Sequence, residues 1–291
     1  MFKKFKVFLE MIKIEHTLFA LPFAFMGTIL GSYVINGHLP SWAQIGWILL
    51  AMIGARTAAM SLNRLIDQVF DGKNPRTMMR AIPAGLLRSS EVVLFTLISL
   101  VIFFWAVTQL DPLALKLLPI AIFMLVIYSY TKRFTWLCHV VLGMTLGLAP
   151  LGGWIAVTGQ FSWTAIVFYI AITFWTAGFD VIYACADEEF DREEGLYSIP
   201  SRFGIAKALK IAQGFHVITA IGLIAIGVMA GLGWWYFIGA VIALAILFYQ
   251  HYILTPKDLS RLQTSFFTLN STLSLIVFVF TLIDLVVKQW W

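Results

Sequence analysis

Nine stretches of nearly uninterrupted apolar residues dominate the chain, at about 17–36, 42–62, 91–110, 113–130, 137–158, 161–183, 208–230, 233–254 and 264–287. A helix needs roughly 20 such residues to cross the hydrocarbon core of a bilayer. Pro22, Pro119 and Pro150 fall inside runs, which membrane helices tolerate when neighbours satisfy the freed carbonyls. The pattern predicts an all-α integral membrane protein of about nine transmembrane helices, read as one polytopic domain over residues 1–291. The connections are unequal. Those at 36–41 and 159–162 are short and weakly charged, whereas 64–90 and 184–207 are long and carry most of the acidic residues. The two long connections come after the second and sixth runs, four helices apart, which predicts two similar four-helix halves with a ninth helix added. Each half places Asp-x-x-x-Asp at the same helix end, Asp67/Asp71 and Asp187/Asp191, 120 residues apart.

Composition closes off other classes. The chain is 60% hydrophobic and 12% charged, with a mean hydropathy of +0.89, against about 45–50% and 25% for soluble domains. A soluble enzyme, a disordered chain, a collagen and a nucleic-acid-binding domain are excluded as whole-chain readings. Seventeen of the twenty basic residues lie on the side of the N-terminus and the two long loops; Lys116 and Lys288 lie on the other, and Arg56 within a span. The positive-inside rule then places the N-terminus and both acidic loops in the cytoplasm and the C-terminus outside. A net charge of +5 therefore reports topology rather than affinity for nucleic acid. The basic opening Met1–Lys6 resembles a signal n-region, but Glu10, Lys13 and Glu15 break up the segment after it, so it is read as a retained, interfacial lead-in. Cys138 and Cys185 are too few and too far apart for a disulfide framework or a metal site and are read as packing residues. Nothing in the sequence points to an obligate protein partner.

Chemistry concentrates at two helix ends. Arg56, Asn63, Asp67 and Asp71 are spaced by seven, four and four, and so lie within about 80° of one another on a helix. Asp180, Tyr183, Asp187 and Asp191, spaced by three, four and four, repeat the device. Facing carboxylates repel and raise one another's pKa unless a cation intervenes. An oxygen-only donor set favours Mg²⁺ or Ca²⁺, and Mg²⁺ typically combines one or two carboxylates with phosphate oxygens. A diphosphate between the two motifs fits that preference, and Lys73, Arg76, Lys132, Arg133 and Arg202 are near enough in sequence to neutralise it. A charge inside a span faces a cavity or a partner. Arg56 is therefore either half of an ion pair with Asp180 or the anchor for the anionic head of a second substrate. The five histidines show no ligand spacing, and His139 and His216 are read as packing residues. A transporter with an acidic cation site is the competing class, although its site would sit near the midplane rather than at one face.

The same residues carry a resemblance. Asn63-Arg-Leu-Ile-Asp67-Gln-Val-Phe-Asp71, with Asn74-Pro-Arg-Thr77 and Arg80-Ala-Ile-Pro-Ala-Gly85, resembles the first aspartate motif of the UbiA superfamily of intramembrane prenyltransferases. Asp180-Val-Ile-Tyr183-Ala-Cys-Ala-Asp187-Glu-Glu-Phe-Asp191, with Ser198-Ile-Pro-Ser-Arg-Phe-Gly204, resembles the second, and Tyr128-Ser-Tyr130-Thr-Lys132-Arg133-Phe the segment after the fourth span. Many members open the first motif with Asn-Asp, where this chain has Asn63-Arg64. The opening Ile14–Phe23 looks like the branch of 4-hydroxybenzoate polyprenyltransferases, which also contains enzymes acting on a dihydroxynaphthoate. The resemblance implies Mg²⁺-dependent transfer of a polyprenyl group from its diphosphate to an aromatic acid in ubiquinone or menaquinone synthesis. It implies that Asn63, Asp67, Asp71, Asp187 and Asp191 hold the metal, with Lys132 and Arg76 on the diphosphate, joined by the nearby Lys73 and Arg202. Arg56, Asp180, Tyr183 and Tyr130 are expected around the aromatic substrate. Tyr128, Phe174 and Trp175 are further candidates for the aromatic faces that would shelter an allylic cation.

Overall fold

A computed structural model describes residues 2–12 and 17–290, and among them there is no β-sheet beyond an isolated bridge between Thr255 and Asp258. The chain runs through α1 (Phe2–Met11), α2 (Thr17–Gly31), α3 (Trp42–Ile66), α4 (Gln68–Lys73), α5 (Ser89–Thr108), α6 (Pro112–Thr131) and α7 (Cys138–Thr158). It continues through α8 (Trp163–Ala184), α9 (Glu188–Glu193), α10 (Ile199–Phe203), α11 (Ile205–Met229), α12 (Trp234–Tyr252) and α13 (Asn270–Trp290). Helix starts reflect local chemistry. Ser41 and Gln44 form a capping box at α3, Asp111 accepts from Leu113 N–H beside Pro112 at α6, and Ser162 accepts from Ala165 N–H at α8. Gly159 ends α7 in the left-handed conformation (φ 66°), and a Cβ there would also meet the Asp111 carboxylate at 2.5 Å.

Eight of the described helices are long and apolar enough to cross a membrane. The first expected run, 17–36, is helical from Thr17 to Asn36, as α2 continued by a π turn at Ser32–Asn36, and forms a shorter apolar helix beside those eight. Its residues still join the bundle, with Phe23, Met26 and Leu30 fully buried. The centre is α8, whose Phe168, Ile172 and Trp175 pack with Phe23, Trp154, Leu223 and Tyr236. Glycines let helix backbones touch, as in other membrane bundles. A Cβ on Gly143 of α7 would lie 2.1 Å from Thr173 O of α8, and one on Gly27 of α2 would lie 2.1 Å from Pro150 O of α7. The outer faces of α5 and α11 expose Leu94, Leu97, Val101, Phe104, Val217, Ile221 and Val228, an apolar surface suited to lipid.

One end of the bundle is polar and gathers α4, α9, α10 and the connection 74–88. There α1 lies against α5 through stacking of Phe8 on Phe95 (4.2 Å) and a Lys4–Glu91 pair. Lys13, Glu15 and His16, which entered the reading of the lead-in and of the opening segment, lie outside the described residues.

Candidate active site

Both aspartate motifs sit on a break in a long helix, not on the continuous helical stripe expected. α3 stops at Ile66, and Asp67 takes φ −95°, ψ 5° before α4 begins. α8 stops at Ala184, and Asp187 takes φ −110°, ψ 9° before α9. These are the bridge conformations common where chains turn sharply. The helix after each break has six residues, and the bounds of the two are again offset by 120, which gives the predicted repeat a structural counterpart. Each break swings the second aspartate of its motif inward: Asp71 is 6% exposed and Asp191 is fully buried.

Every motif aspartate faces a cation. Asp71 pairs with Arg80 at 2.6 Å, Asp191 with Lys132 at 2.7 Å and Asp67 with Arg133 at 3.4 Å. Arg76 grips Asp187 with two nitrogens, Nε donating to Oδ1 at 2.9 Å, and donates through Nη1 to the Tyr183 hydroxyl at 2.6 Å. Asn74 also donates to Asp187 Oδ1, at 3.1 Å, so the connection after the first motif closes over the second. Asn63 donates to Asp67 Oδ2 at 2.9 Å and to Ser129 Oγ at 3.3 Å. Burial, reinforced by the neighbouring Asp71 charge, raises the Asp67 pKa against the pull of Arg133. Burial, the largest single influence, would lower Lys132, but the Asp191 charge and hydrogen bond together with the Asp187 charge hold the ammonium above its usual value.

These groups line a polar cavity of about 230 Å³ at the bundle end. Tyr128 and Leu142 line it too, and they also line a second, apolar cavity of about 390 Å³ between α3, α5, α6 and α7. Arg56 lines the apolar cavity, and its buried Nε has no hydrogen-bond partner. The ion-pair alternative for Arg56 is thus overturned: Asp180 instead meets His139, Nδ1 to Oδ2 at 2.7 Å. His139 is correspondingly a site residue and not a packing residue.

Other expectations also need correction. Lys73 is exposed and pairs with Glu194 at 2.6 Å, outside the cavity, because the end of α4 turns it outward. Arg202 lies over the rings of Trp136 and Phe203, also outside. Tyr130 faces the Arg133 guanidinium at 5.0 Å without lining the cavity, where Tyr128 takes its place. Trp175 is fully buried against Phe23, and Phe174 packs on Phe215, so neither ring reaches the site. Asn63, Asp67, Asp71, Arg76, Lys132, Asp180, Tyr183, Asp187 and Asp191 are all brought together. Asn74, Arg80, Ser129 and His139 join them without having been assigned to the site; the advance signal for the first three was their place inside the segments that carry the family resemblance.

Among the described residues no three carboxylate, histidine or cysteine groups converge as a ready-made metal cluster, and each motif aspartate is instead paired with a Lys or Arg. The donor set nonetheless suits a hard divalent ion. It is all oxygen, and Asp71 Oδ2 is buried without a hydrogen-bond partner.

Comparison with known proteins decides the class. The pattern of the UbiA prenyltransferase family matches residues 21–272. The chain belongs to that family. Relatives include a 4-hydroxybenzoate octaprenyltransferase from Aromatoleum aromaticum, 31% identical over 86% of this chain and 82% of its own length. Another, of the same name, from Francisella tularensis subsp. tularensis, is 27% identical over 89% of this chain and 90% of its own. The apo structure of a UbiA homologue from Aeropyrum pernix K1 superposes with a TM-score of 0.84 at 29% identity, covering 94% of this chain and 98% of that one. A UbiA homologue from Archaeoglobus fulgidus, solved with DMAPP and Mg²⁺, has the same fold at 19% identity and a TM-score of 0.75, over 95% and 98% of the two chains. The protein is therefore a multi-pass membrane prenyltransferase of the UbiA family, which sets the transport reading aside.

Proposed function

We propose that this UbiA-family enzyme transfers a polyprenyl group from its diphosphate to an aromatic acid, 4-hydroxybenzoate or a related hydroxynaphthoate, in lipoquinone synthesis. One observation carries the reading: four aspartates, each ion-paired, line a polar cavity that meets an apolar cavity containing an unpartnered arginine. A diphosphate suits the first compartment, a prenyl chain the second, and an acceptor carboxylate the Arg56 guanidinium. Relatives named for 4-hydroxybenzoate support the acceptor class.

Mg²⁺ held by Asn63, Asp67, Asp71, Asp187 and Asp191 would neutralise the leaving diphosphate. Arg76, Lys132, Arg80 and Arg133 exchange their aspartate partners for diphosphate oxygens, so the substrate's charge replaces that of the carboxylates. The allylic C–O bond breaks with its electron pair departing on the diphosphate. Tyr128 and Tyr183 present ring faces and hydroxyls to the resulting cation. Arg56 holds the acceptor so that its electron-rich ring supplies the pair for the new C–C bond.

Labelled polyprenyl diphosphate and a panel of aromatic acids, offered to purified enzyme in detergent or liposomes, test this. Incorporation into a hydroxylated aromatic acid is expected, lost with EDTA and restored by Mg²⁺. Transfer only to a non-aromatic acceptor would overturn the reading. In the same assay Arg56→Ala should raise the KM for the aromatic acid about ten- to a hundredfold, the cost of a lost charge-assisted hydrogen bond, with little change for the prenyl diphosphate.

A further inference from the structure

Asp180 lies seven residues before Asp187 on α8, about 10 Å of helix rise away from the motif, and it lines the polar cavity with a quarter of its side chain exposed. Unlike the four motif aspartates, it faces no Lys or Arg among the described residues. Its partner is the imidazole of His139, at the start of α7, and that ring uses both nitrogens. Ile199 N–H donates to His139 Nε2 at 3.2 Å, while Nδ1 lies 2.7 Å from Asp180 Oδ2. A backbone N–H can only donate, so Nε2 is the bare nitrogen, and the ring proton sits on Nδ1 and is given to Asp180. The ring is 2% exposed, and the contacts at its two nitrogens set its orientation. Asp180 is thereby fixed through Oδ2, and Oδ1, which has no protein donor among the described residues, is left for the cavity.

We propose that Asp180 receives the proton that the acceptor ring loses, and that His139 is a positioning residue that holds the Asp180 carboxylate for this transfer. The proposal rests on the aromatic-acceptor reading. When the ring's π pair forms the C–C bond to the allylic carbon, the ring becomes a cation. The C–H bond at the same carbon then breaks, its electron pair restores aromaticity, and its proton passes to Asp180 Oδ1 and later through the polar cavity to water. A base for this step should not be neutralised by a cation. Asp67, Asp71, Asp187 and Asp191 are each ion-paired to a Lys or Arg, whereas Asp180, among the described acidic groups of the cavity, is held only through Oδ2 by the His139 imidazole.

Two substitutions separate positioning from mere packing. His139→Gln can keep an acceptor for Ile199 N–H while removing the donor to Asp180; His139→Asn keeps an N–H near the Nδ1 position and gives up Ile199. With His139→Gln, kcat should fall about ten- to a hundredfold, with unchanged KM for the prenyl diphosphate and wild-type thermal stability. A larger isotope effect than in wild type should appear with acceptor deuterated at the reacting carbon. His139→Asn should stay within a few-fold of wild type. Asp180→Asn, which keeps shape and the Oδ acceptor for the imidazole, should lose turnover while folding normally. Wild-type kcat and isotope effect in His139→Gln, or full activity in Asp180→Asn, would overturn the proposal. So would equal loss of activity and of stability in both His139 variants. The wild type is run on the same acceptor, so failure of the aromatic-acceptor reading registers there, and failure of this proposal only in the variants.

Discussion

Charge pairing at single residues explains how so acidic a site folds. Asp71, Asp187 and Asp191 are each less than a tenth exposed, and each is held by a cation. Removing one partner leaves a buried, uncompensated carboxylate, and this sets a prediction for Arg80. Arg80→Ala should lower stability by about 2 kcal/mol, less than for a fully buried pair because the guanidinium is partly exposed. Adding Mg²⁺ should return part of that loss, because the ion takes over Asp71, and Arg80→Ala with Asp71→Asn should recover it without metal. A melting curve of the single variant unmoved by Mg²⁺ would contradict Asp71 as a metal ligand. The catalytic counterpart concerns Asp67→Asn and Asp191→Asn. Each keeps side-chain volume but weakens metal binding, so each should abolish turnover while the purified protein remains folded; near-wild-type activity in either would dismantle the two-motif site.

At the scale of the helix, the membrane-crossing runs were readable because a residue facing lipid and one facing the core are equally apolar, so whole spans stand out. What spacing could not reveal was where a helix stops. Asp67 and Asp71 are four apart whether α3 continues or breaks, and the break decides that Asp71 turns inward while Lys73, two residues on, turns out to Glu194. Partners distant in sequence were equally hidden: His139 and Asp180 are 41 residues apart, and no periodicity links them. The aspartates themselves were legible, since repeated paired carboxylates at equivalent helix ends have few structural uses. Helix contacts hold the frame behind them, and the glycines on α7 make a sharp case. Gly143→Ala places a methyl 2.1 Å from Thr173 O, so α7 and α8 must part, at a cost of about 1–3 kcal/mol for overpacking. Gly152→Ala on the same helix meets nothing within 4 Å and should leave the melting temperature unchanged. Equal melting temperatures for the two variants would show that α7 and α8 do not approach as closely as described.

For the whole molecule, a polar cavity at one end and an apolar cavity beside it match a substrate with a charged head and a lipid tail. The positive-inside rule gives the expectation for which side of the membrane the polar end faces. On the nine-span topology expected from the sequence, the long acidic loops share their side with seventeen basic residues, and only Lys116 and Lys288 fall opposite. Asp67, Asp187 and their cations should therefore work at the cytoplasmic face. Cysteine labelling tests this cleanly because Cys138 and Cys185 are both buried. Lys73 and Lys257 are exposed at the end carrying the motifs, whereas His38 and Gln160 are exposed in the short connections at the other end. With a membrane-impermeant thiol reagent on intact cells, His38→Cys and Gln160→Cys should react, and Lys73→Cys and Lys257→Cys should react only after the membrane is opened. The reverse pattern would turn the protein over and place prenyl transfer on the outer face, where cytoplasmic prenyl diphosphate could not reach it.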